Sequence, residues 1–339
     1  MANISVSNVC NLKCPYCFAS THMNAARNTK PAFIDVEKFA ARLDFLDRSG
    51  IDQIRLIGGE PTLHPAFSEL IDLALERRKK LLIFSHGLIP EQALRCLETI
   101  PPSKCLVLIN TNATRSTGGP DQDEIAQREA TFRRLGLRAV PGFNIHQPGF
   151  QLAPILDLIR ATGCSPTIRL GLAHPMLSGT NIYLHTKHYS EVGCYLAHFA
   201  QIAAAEGVRL ELDCGFVRCM FTEKELTILQ KSGTDIGWRC NPILDIGIDG
   251  RAIHCFPLTG RWEISVENDS AAAALRQQFT RITDPYHLTG MYKACATCDH
   301  KQSGNCHGGC LAHIIRRFRH HKFQLRAGRI DKRQYARNT

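Results

Sequence analysis

The chain has 339 residues, 44% hydrophobic and 21% charged, with 15 cysteines and a formal net charge of +10. That length allows one large core or two moderate ones, and no apolar run approaches the roughly 18 residues needed to span a bilayer. The N-terminal MANISVSNVCN lacks both the basic stretch and the apolar core of an export signal, which points to a cytoplasmic protein without a membrane segment. An odd number of cysteines in a long chain does not suit a disulfide scaffold; in a reducing compartment, clustered thiols mean metal ligation or redox chemistry. The basic excess is concentrated at one end. Between Arg316 and Arg337 nine Lys or Arg stand against the single acid Asp331, so the rest of the chain carries only +2. This tail reads as a frayed or solvated helix, and a nucleic-acid partner is not expected.

In chain order, a strand-then-helix rhythm fills the first two-thirds. The strand segments are ISVSNV, DQIRLIGGE, LLIFSHG, KCLVLINTN, RAVPGFNI and TIRLGLA, and helical stretches such as IDVEKFAARLDFLDRSG and PAFSELIDLALERRKK alternate with them. A Gly/Pro/Asp loop follows the fourth strand. Short apolar runs alternating with helices are the pattern of parallel βα units. Six units without a clear seventh and eighth predict an α/β fold, an open, partial (β/α)6 TIM-like barrel over residues 1–210. After Pro175 the rhythm changes: a helix at HYSEVGCYLAHFAQIAAAEG, a strand at VRLELDCG, and a hairpin at ILDIGIDGRAIHCF turning on Asp249 and Gly250. A cysteine-rich C-terminal domain is expected over 211–315, with the basic tail occupying 316–339.

Cys10, Cys14 and Cys17 stand at spacing C-x3-C-x2-C directly after the first strand. Three thiolates on one loop can hold three irons of a 4Fe–4S cubane and leave the fourth iron open. The loop lies at the C-terminal mouth of the strands, where βα loops build active sites. With Tyr16 as its aromatic, this motif resembles the signature of radical S-adenosylmethionine (SAM) enzymes. The resemblance implies that the open iron is chelated by SAM and that Gly58, Gly59 and Glu60 of the segment GGEP after strand two bind its amino group. The glycines would permit close approach, and Glu60 would supply negative charge. By position at strand ends, Ser85, Asn110, Asn112, Asn144 and Arg169 are candidates for the methionyl carboxylate and ribose. His86, His146 and His174 also fall near strand ends, where they could face a substrate. A zinc site completed by a distant ligand is the alternative for the triplet.

A second field holds Cys214, Cys219, Cys240, Cys255, Cys295, Cys298, Cys306 and Cys310. C-x9-G-x4-C followed by C-x2-C-x7-C-x3-C resembles the SPASM/twitch-like extension of radical SAM peptide-modifying enzymes, which carries auxiliary 4Fe–4S clusters. The x7 spacing and the lack of a cysteine after Cys310 depart from that pattern. Eight thiols suffice for two cubanes: one on Cys240, Cys255 and Cys310 completed by Cys219 or Cys214, the other on Cys295, Cys298 and Cys306 plus the remaining ligand. Gly304, Gly308 and Gly309 would let the chain wrap around a cluster. One cluster, or a zinc knuckle from Cys295, Cys298, Cys306 and Cys310, remains open. Cys96, Cys105, Cys164 and Cys194 read as buried small hydrophobes. His254 and His307 are candidates for second-shell hydrogen bonds to a cluster.

The resemblance implies an enzyme that reductively cleaves SAM to a 5′-deoxyadenosyl radical and abstracts hydrogen from a substrate. An external electron donor such as flavodoxin or ferredoxin would feed it. A ribosomally made peptide or protein is the first expectation for substrate, a small metabolite the second, and a non-catalytic iron–sulfur carrier the third. Only nine residues precede Cys10, so a peptide would need a separate recognition protein or direct binding, for instance of an acidic leader by the basic tail. No protein acid or base can be named.

Overall fold

The computed structural model describes residues 1–20, 23, 32–112, 122–266 and 271–319. Strands β1 (Ala2–Ser7), β2 (Gln53–Gly58), β3 (Lys80–Ser85), β4 (Cys105–Asn110), β5 (Ala139–Ile145), β6 (Thr167–Leu172), β7 (Arg209–Leu212) and the two-residue β8 (Asp235–Ile236) pair in that order, all parallel. Helices α1 (Val36–Arg48), α2 (Phe67–Glu76), α3 (Glu91–Glu98), α4 (Gln122–Leu135), α5 (Ala153–Thr162) and α6 (Tyr189–Ala205) fall between successive strands, and α7 (Glu223–Lys231) precedes β8. The alternation of side chains explains the packing. Ala2, Ile4 and Val6 of β1 join one core with Phe39, Leu43 and Leu46 of α1, residues spaced so that they share a helix face. Asn3, Ser5 and Ser7 alternate with them toward the opposite, inner face.

Two differences from the six-unit reading stand out. The segment VRLELDCG supplies a seventh parallel strand, β7, so the sheet continues past residue 210. The hairpin β9 (Asp245–Ile246) and β10 (Arg251–Ile253) turns at Asp249 and Gly250 as expected, with Gly250 at φ +78°. It does not stand apart, however: β9 pairs parallel with β1, β11 (Ile264–Ser265) follows β10, and Asn3 donates its N–H to the carbonyl of Leu244. The outer edge of β1 would otherwise present unpaired backbone groups, and the hairpin satisfies them. The order of the eleven strands is β11-β10-β9-β1-β2-β3-β4-β5-β6-β7-β8.

Helices α8 (Ala272–Thr289), the short α9 (Asp299–Gln302) and α10 (Leu311–Arg319) complete the described chain. Helix α8 is not expected from the sequence pattern, and Pro285 lies inside it. Of the basic tail, residues 320–339 lie outside the described residues, as does the loop after β4 at 113–121. Among the described residues, no helix is long and apolar enough to cross a membrane.

Candidate metal centres

The C-terminal ends of β1 to β6 lie along one edge of the sheet, and the first cysteine loop leaves from β1 there. Its anchor is the GGEP turn. Gly59 N–H donates to Ser7 O at 2.7 Å and Glu60 N–H to Val9 O at 2.8 Å. A Cβ on Gly58 would lie 2.1 Å from Ser7 O, and one on Gly59 2.1 Å from Val9 O. The close approach that demands glycine is therefore made to the chain's own backbone leading into Cys10. Glu60 is buried, 1% exposed. Its Oε1 accepts from Thr62 N–H at 3.2 Å and Thr62 Oγ1 at 2.7 Å, and its Oε2 accepts from His86 N–H at 2.9 Å. The carboxylate thus meets internal donors, and an ammonium there would share Oε2 with His86. His86 Nδ1 accepts from Leu88 N–H at 3.1 Å, which leaves the proton on Nε2, 2.7 Å from Asn11 Oδ1 and 3.3 Å from Glu60 Oε2. Burial pushes this imidazole below its ordinary pKa, so it is neutral.

Four of the expected cosubstrate residues come together. Tyr16 is buried; its hydroxyl accepts from Asn110 Nδ2 at 2.6 Å, and its ring stacks on His146 at 4.7 Å. Asn110 Oδ1 accepts from Asn144 Nδ2 at 3.3 Å. Asn112 imitates a strand, accepting from Asn144 N–H at 2.7 Å and donating to Asn144 O at 3.0 Å. Ser85 closes a turn by accepting from Gly87 N–H at 3.0 Å. Arg169 departs from expectation: it faces the inner side of the sheet, ion-paired with Asp213, its guanidinium 5.0 Å from the centre of the Phe84 ring. It lies outside the Tyr16–asparagine network because its guanidinium is taken up by Asp213, just past the end of β7. Sequence reasoning missed the struts around the loop. Arg128 Nε donates to His86 O at 2.9 Å and Thr131 Oγ1 to Gly87 O at 3.0 Å, both from α4. Asn181 bonds His174 O at 2.9 Å and Ile182 N–H donates to Pro15 O at 2.9 Å, clamping the cysteine loop from the segment after β6. Neither has a motif that would reveal it; both depend on which turns meet.

The three thiols are half-buried, and Cys17 N–H donates to Cys14 O at 3.1 Å. Burial pushes Cys10 up to about 11 and Cys17 up to about 12; it also raises Cys14, against the hydrogen bond from Tyr16. Thiols in this state keep their protons until a metal replaces them.

The second field divides into two sets of four. Cys219 is pushed up to about 11, first by burial and then by its neighbours Cys295, Cys306 and Cys298. These four line one pocket with Met291 and Tyr292. Cys214 is pushed up to about 12 by burial and by Cys310 and Cys240, and Cys255 is raised by burial and by Cys240, Cys310 and Cys214. Cys214 therefore sits with Cys240, Cys255 and Cys310. Glycines shape the pocket of the Cys295 set: Gly308 and Gly290 touch backbone to backbone, a Cβ on Gly290 would lie 2.7 Å from Cys295 Sγ, and Gly309 presses on Met291. Gly308 N–H donates to Cys306 Sγ at 3.4 Å. Gly304, expected to help, has open space around it. Cys105 and Cys164 are buried as expected, but Cys194 is exposed on α6, hydrogen-bonded to Glu225. His254 is buried beside Cys255, whereas His307 is half-buried, its Nδ1 3.4 Å from Cys240 O. His174 is seated against Gly215, where a Cβ would lie 2.2 Å from the ring. All-thiol sets, glycine-packed and with an N–H aimed at sulfur, fit the iron–sulfur groups that the sequence implies.

Residues 4–140 match the radical SAM superfamily. This is a radical SAM domain. Members of that superfamily use a 4Fe–4S cluster and SAM. Over 86 residues the chain is 33% identical to GTP 3′,8-cyclase of Mannheimia succiniciproducens, covering 25% of each protein. It is 27% identical over 116 residues to the antilisterial bacteriocin subtilosin biosynthesis protein AlbA of Bacillus subtilis, covering 34% of this chain and 25% of AlbA. The matches thus span about a quarter of these relatives. In fold, the chain resembles SuiB of Streptococcus suis bound to SAM, with a TM-score of 0.65, 13% identity, and coverage of 93% of this chain and 74% of SuiB. SuiB is also known bound to its precursor peptide SuiA.

Proposed function

We propose that this protein is a radical SAM enzyme that modifies a ribosomally made peptide or protein, with two auxiliary 4Fe–4S clusters in a SPASM/twitch-like region. Cys10, Cys14 and Cys17 would hold the SAM-binding cluster. Cys214, Cys240, Cys255 and Cys310 would hold one auxiliary cluster, and Cys219, Cys295, Cys298 and Cys306 the other. When bound, the first cluster and SAM supply a 5′-deoxyadenosyl radical. The protein's part is positional. The GGEP turn fixes the backbone entering Cys10. Tyr16, Asn110, Asn112 and Asn144 form a preorganised polar wall beside the loop, and the clamp at Asn181 and Ile182 holds the loop against the segment after β6. Flavodoxin or ferredoxin as donor, and a separate recognition protein, belong to the same reading.

The observation that carries it is the division of eight thiols into two sets of four on a chain that already has an open triplet. Among the described residues, no three His, Cys, Asp or Glu side chains close on a point as one ion requires, whereas a cubane binds at separate corners. The peptide assignment draws on AlbA and on SuiB with SuiA; the relationship to GTP 3′,8-cyclases favours a small-molecule substrate as the second reading. Anaerobic incubation with SAM and dithionite tests the chemistry: 5′-deoxyadenosine should form in the wild type and not in Cys14→Ala, and equal release by both would overturn the assignment. Mass shifts in a peptide encoded beside the gene, against none in nucleotides, separate the two substrate readings.

A further inference from the structure

One buried phenol is left without a partner by everything described above. Tyr189, the first residue of α6, is 2% exposed, and its hydroxyl meets no hydrogen-bond partner. Leaving a buried polar group unpaired is costly, so its persistence calls for an acceptor. Its place in the fold is closely constrained. One helical turn further along, a Cβ on Gly193 would lie 2.1 Å from Met220 O, so the helix touches the turn carrying Cys219. On the other side the ring of His313, three residues after Cys310, stands edge-on at 6.2 Å. The phenol is thereby held between the two thiol sets, and Cys310, Cys214 and Cys219 all bear on it electrostatically, Cys310 most strongly of the three. A second tyrosine makes the contrast. Tyr292, near Cys219 and Cys295, spends its hydroxyl on the carbonyl of Thr186 at 3.0 Å.

We infer that Tyr189 donates its hydrogen bond to a sulfur of the cluster held by Cys214, Cys240, Cys255 and Cys310, and that this bond sets the cluster's reduction potential. The inference rests on the reading of the two thiol sets as cluster sites. Thiolate and sulfide sulfur accept hydrogen bonds, and a donor stabilises the reduced cluster, which carries one more negative charge, over the oxidised one. Tyr189 therefore raises that potential and makes this cluster easier to reduce than it would be without the bond.

The test is Tyr189→Phe in the full, anaerobically reconstituted chain, with Tyr292→Phe as control. Iron and sulfide are measured first in the wild type; without two auxiliary clusters' worth of iron, the cluster reading and this inference both fall. With the iron present, an EPR-monitored redox titration should show one auxiliary midpoint lower in Tyr189→Phe. The expected loss is about tenfold in the reduction equilibrium, about 59 mV for one electron. The other midpoint should stay, and Tyr292→Phe should move neither. In pulsed EPR of the reduced wild type, a proton that exchanges in deuterated water should couple to the same signal and be missing from the variant. Unmoved midpoints with full iron, or no exchangeable coupling in the wild type, would overturn the inference while leaving the cluster reading intact. Backbone N–H protons beside sulfur also exchange, so the coupling that decides is the one lost in Tyr189→Phe, read on whatever fraction of the variant carries the cluster.

Discussion

Gly59→Ala probes the contact on which the first cysteine loop depends. At this position φ is ordinary, so alanine carries no backbone penalty and would by itself restrict the unfolded chain slightly. Any loss must come from space. The added carbon would lie 2.1 Å from Val9 O, 2.4 Å from Val9 C and 3.0 Å from Cys10 N, all backbone atoms that cannot rotate away. Restoring the roughly 3.5 Å of ordinary contact requires a displacement of about 1.4 Å. The bond from Glu60 N–H to Val9 O, now 2.8 Å, does not survive such a shift. Overpacking of this kind costs about 1–3 kcal/mol and the lost hydrogen bond about 1 more. Cys10 follows Val9 directly, so the variant should lose the iron of the first cluster, about four per chain, while the second field keeps its own. Iron and sulfide analysis beside urea unfolding measures both effects. Gly50→Ala is the comparison: it has φ +62° with nothing within 4 Å, so it should cost only the left-handed strain of about 1–2 kcal/mol and retain all iron. A Gly59→Ala protein with full iron and wild-type unfolding would refute the reasoning.

The pairing of thiols can be read from iron content in double variants: Cys214→Ala and Cys214→Ala/Cys310→Ala should each lose about four irons, whereas Cys214→Ala/Cys219→Ala should lose about eight. Equal losses in the two doubles would show that the eight thiols are shared differently. Lys79 offers a pH test away from the metal sites. It is 1% exposed, bonds Ile51 O at 2.7 Å and pairs with Asp47 at 2.6 Å, and it is the main cause of the lowered Asp47 pKa. A depressed carboxylate contributes stability above its unfolded pKa, near 4, and loses it as pH falls through the folded value. Lys79→Met should therefore unfold at lower urea at pH 7, by about 1–3 kcal/mol for the stranded carbonyl, and show a shallower stability loss as pH falls below the ordinary carboxylate range. Arg77 keeps part of the effect. Parallel acid profiles in the two proteins would contradict this.

How far the sequence predicted the molecule depended on the range of the interactions involved. Strands β2 to β6 were visible because each is a short apolar run between helices, and the thiols of the first loop because their spacing is local. The seventh strand was seen as a segment but not as part of the sheet, since nothing in RLEL distinguishes pairing with β6 from pairing elsewhere. The attachment of β9 to β1 is likewise a contact across more than 240 residues. The close approach at Gly59 shows the same limit. A glycine needed for close approach is recognisable, but whether the approaching group is cosubstrate or Val9 is a question of tertiary structure.

The assignment of Cys214 and Cys219 to different sets has a mechanical consequence. Four residues separate them, so their Cα atoms stand at most about 18 Å apart even in a fully extended chain. The intervening segment is not extended: Gly215 turns at φ +100°, and Arg218–Met220 forms a 3-10 turn. One short connector, leaving the C-terminal end of β7, therefore supplies a ligand to each candidate cluster and ties both to the barrel. A change that displaces this connector should disturb both sites together, whereas changes at Gly290 or Gly308 should disturb only the Cys295 set, because their contacts are with Cys295 and with each other. The two sites are thus joined at one end and independent at the other, and Tyr189 sits on the joined side.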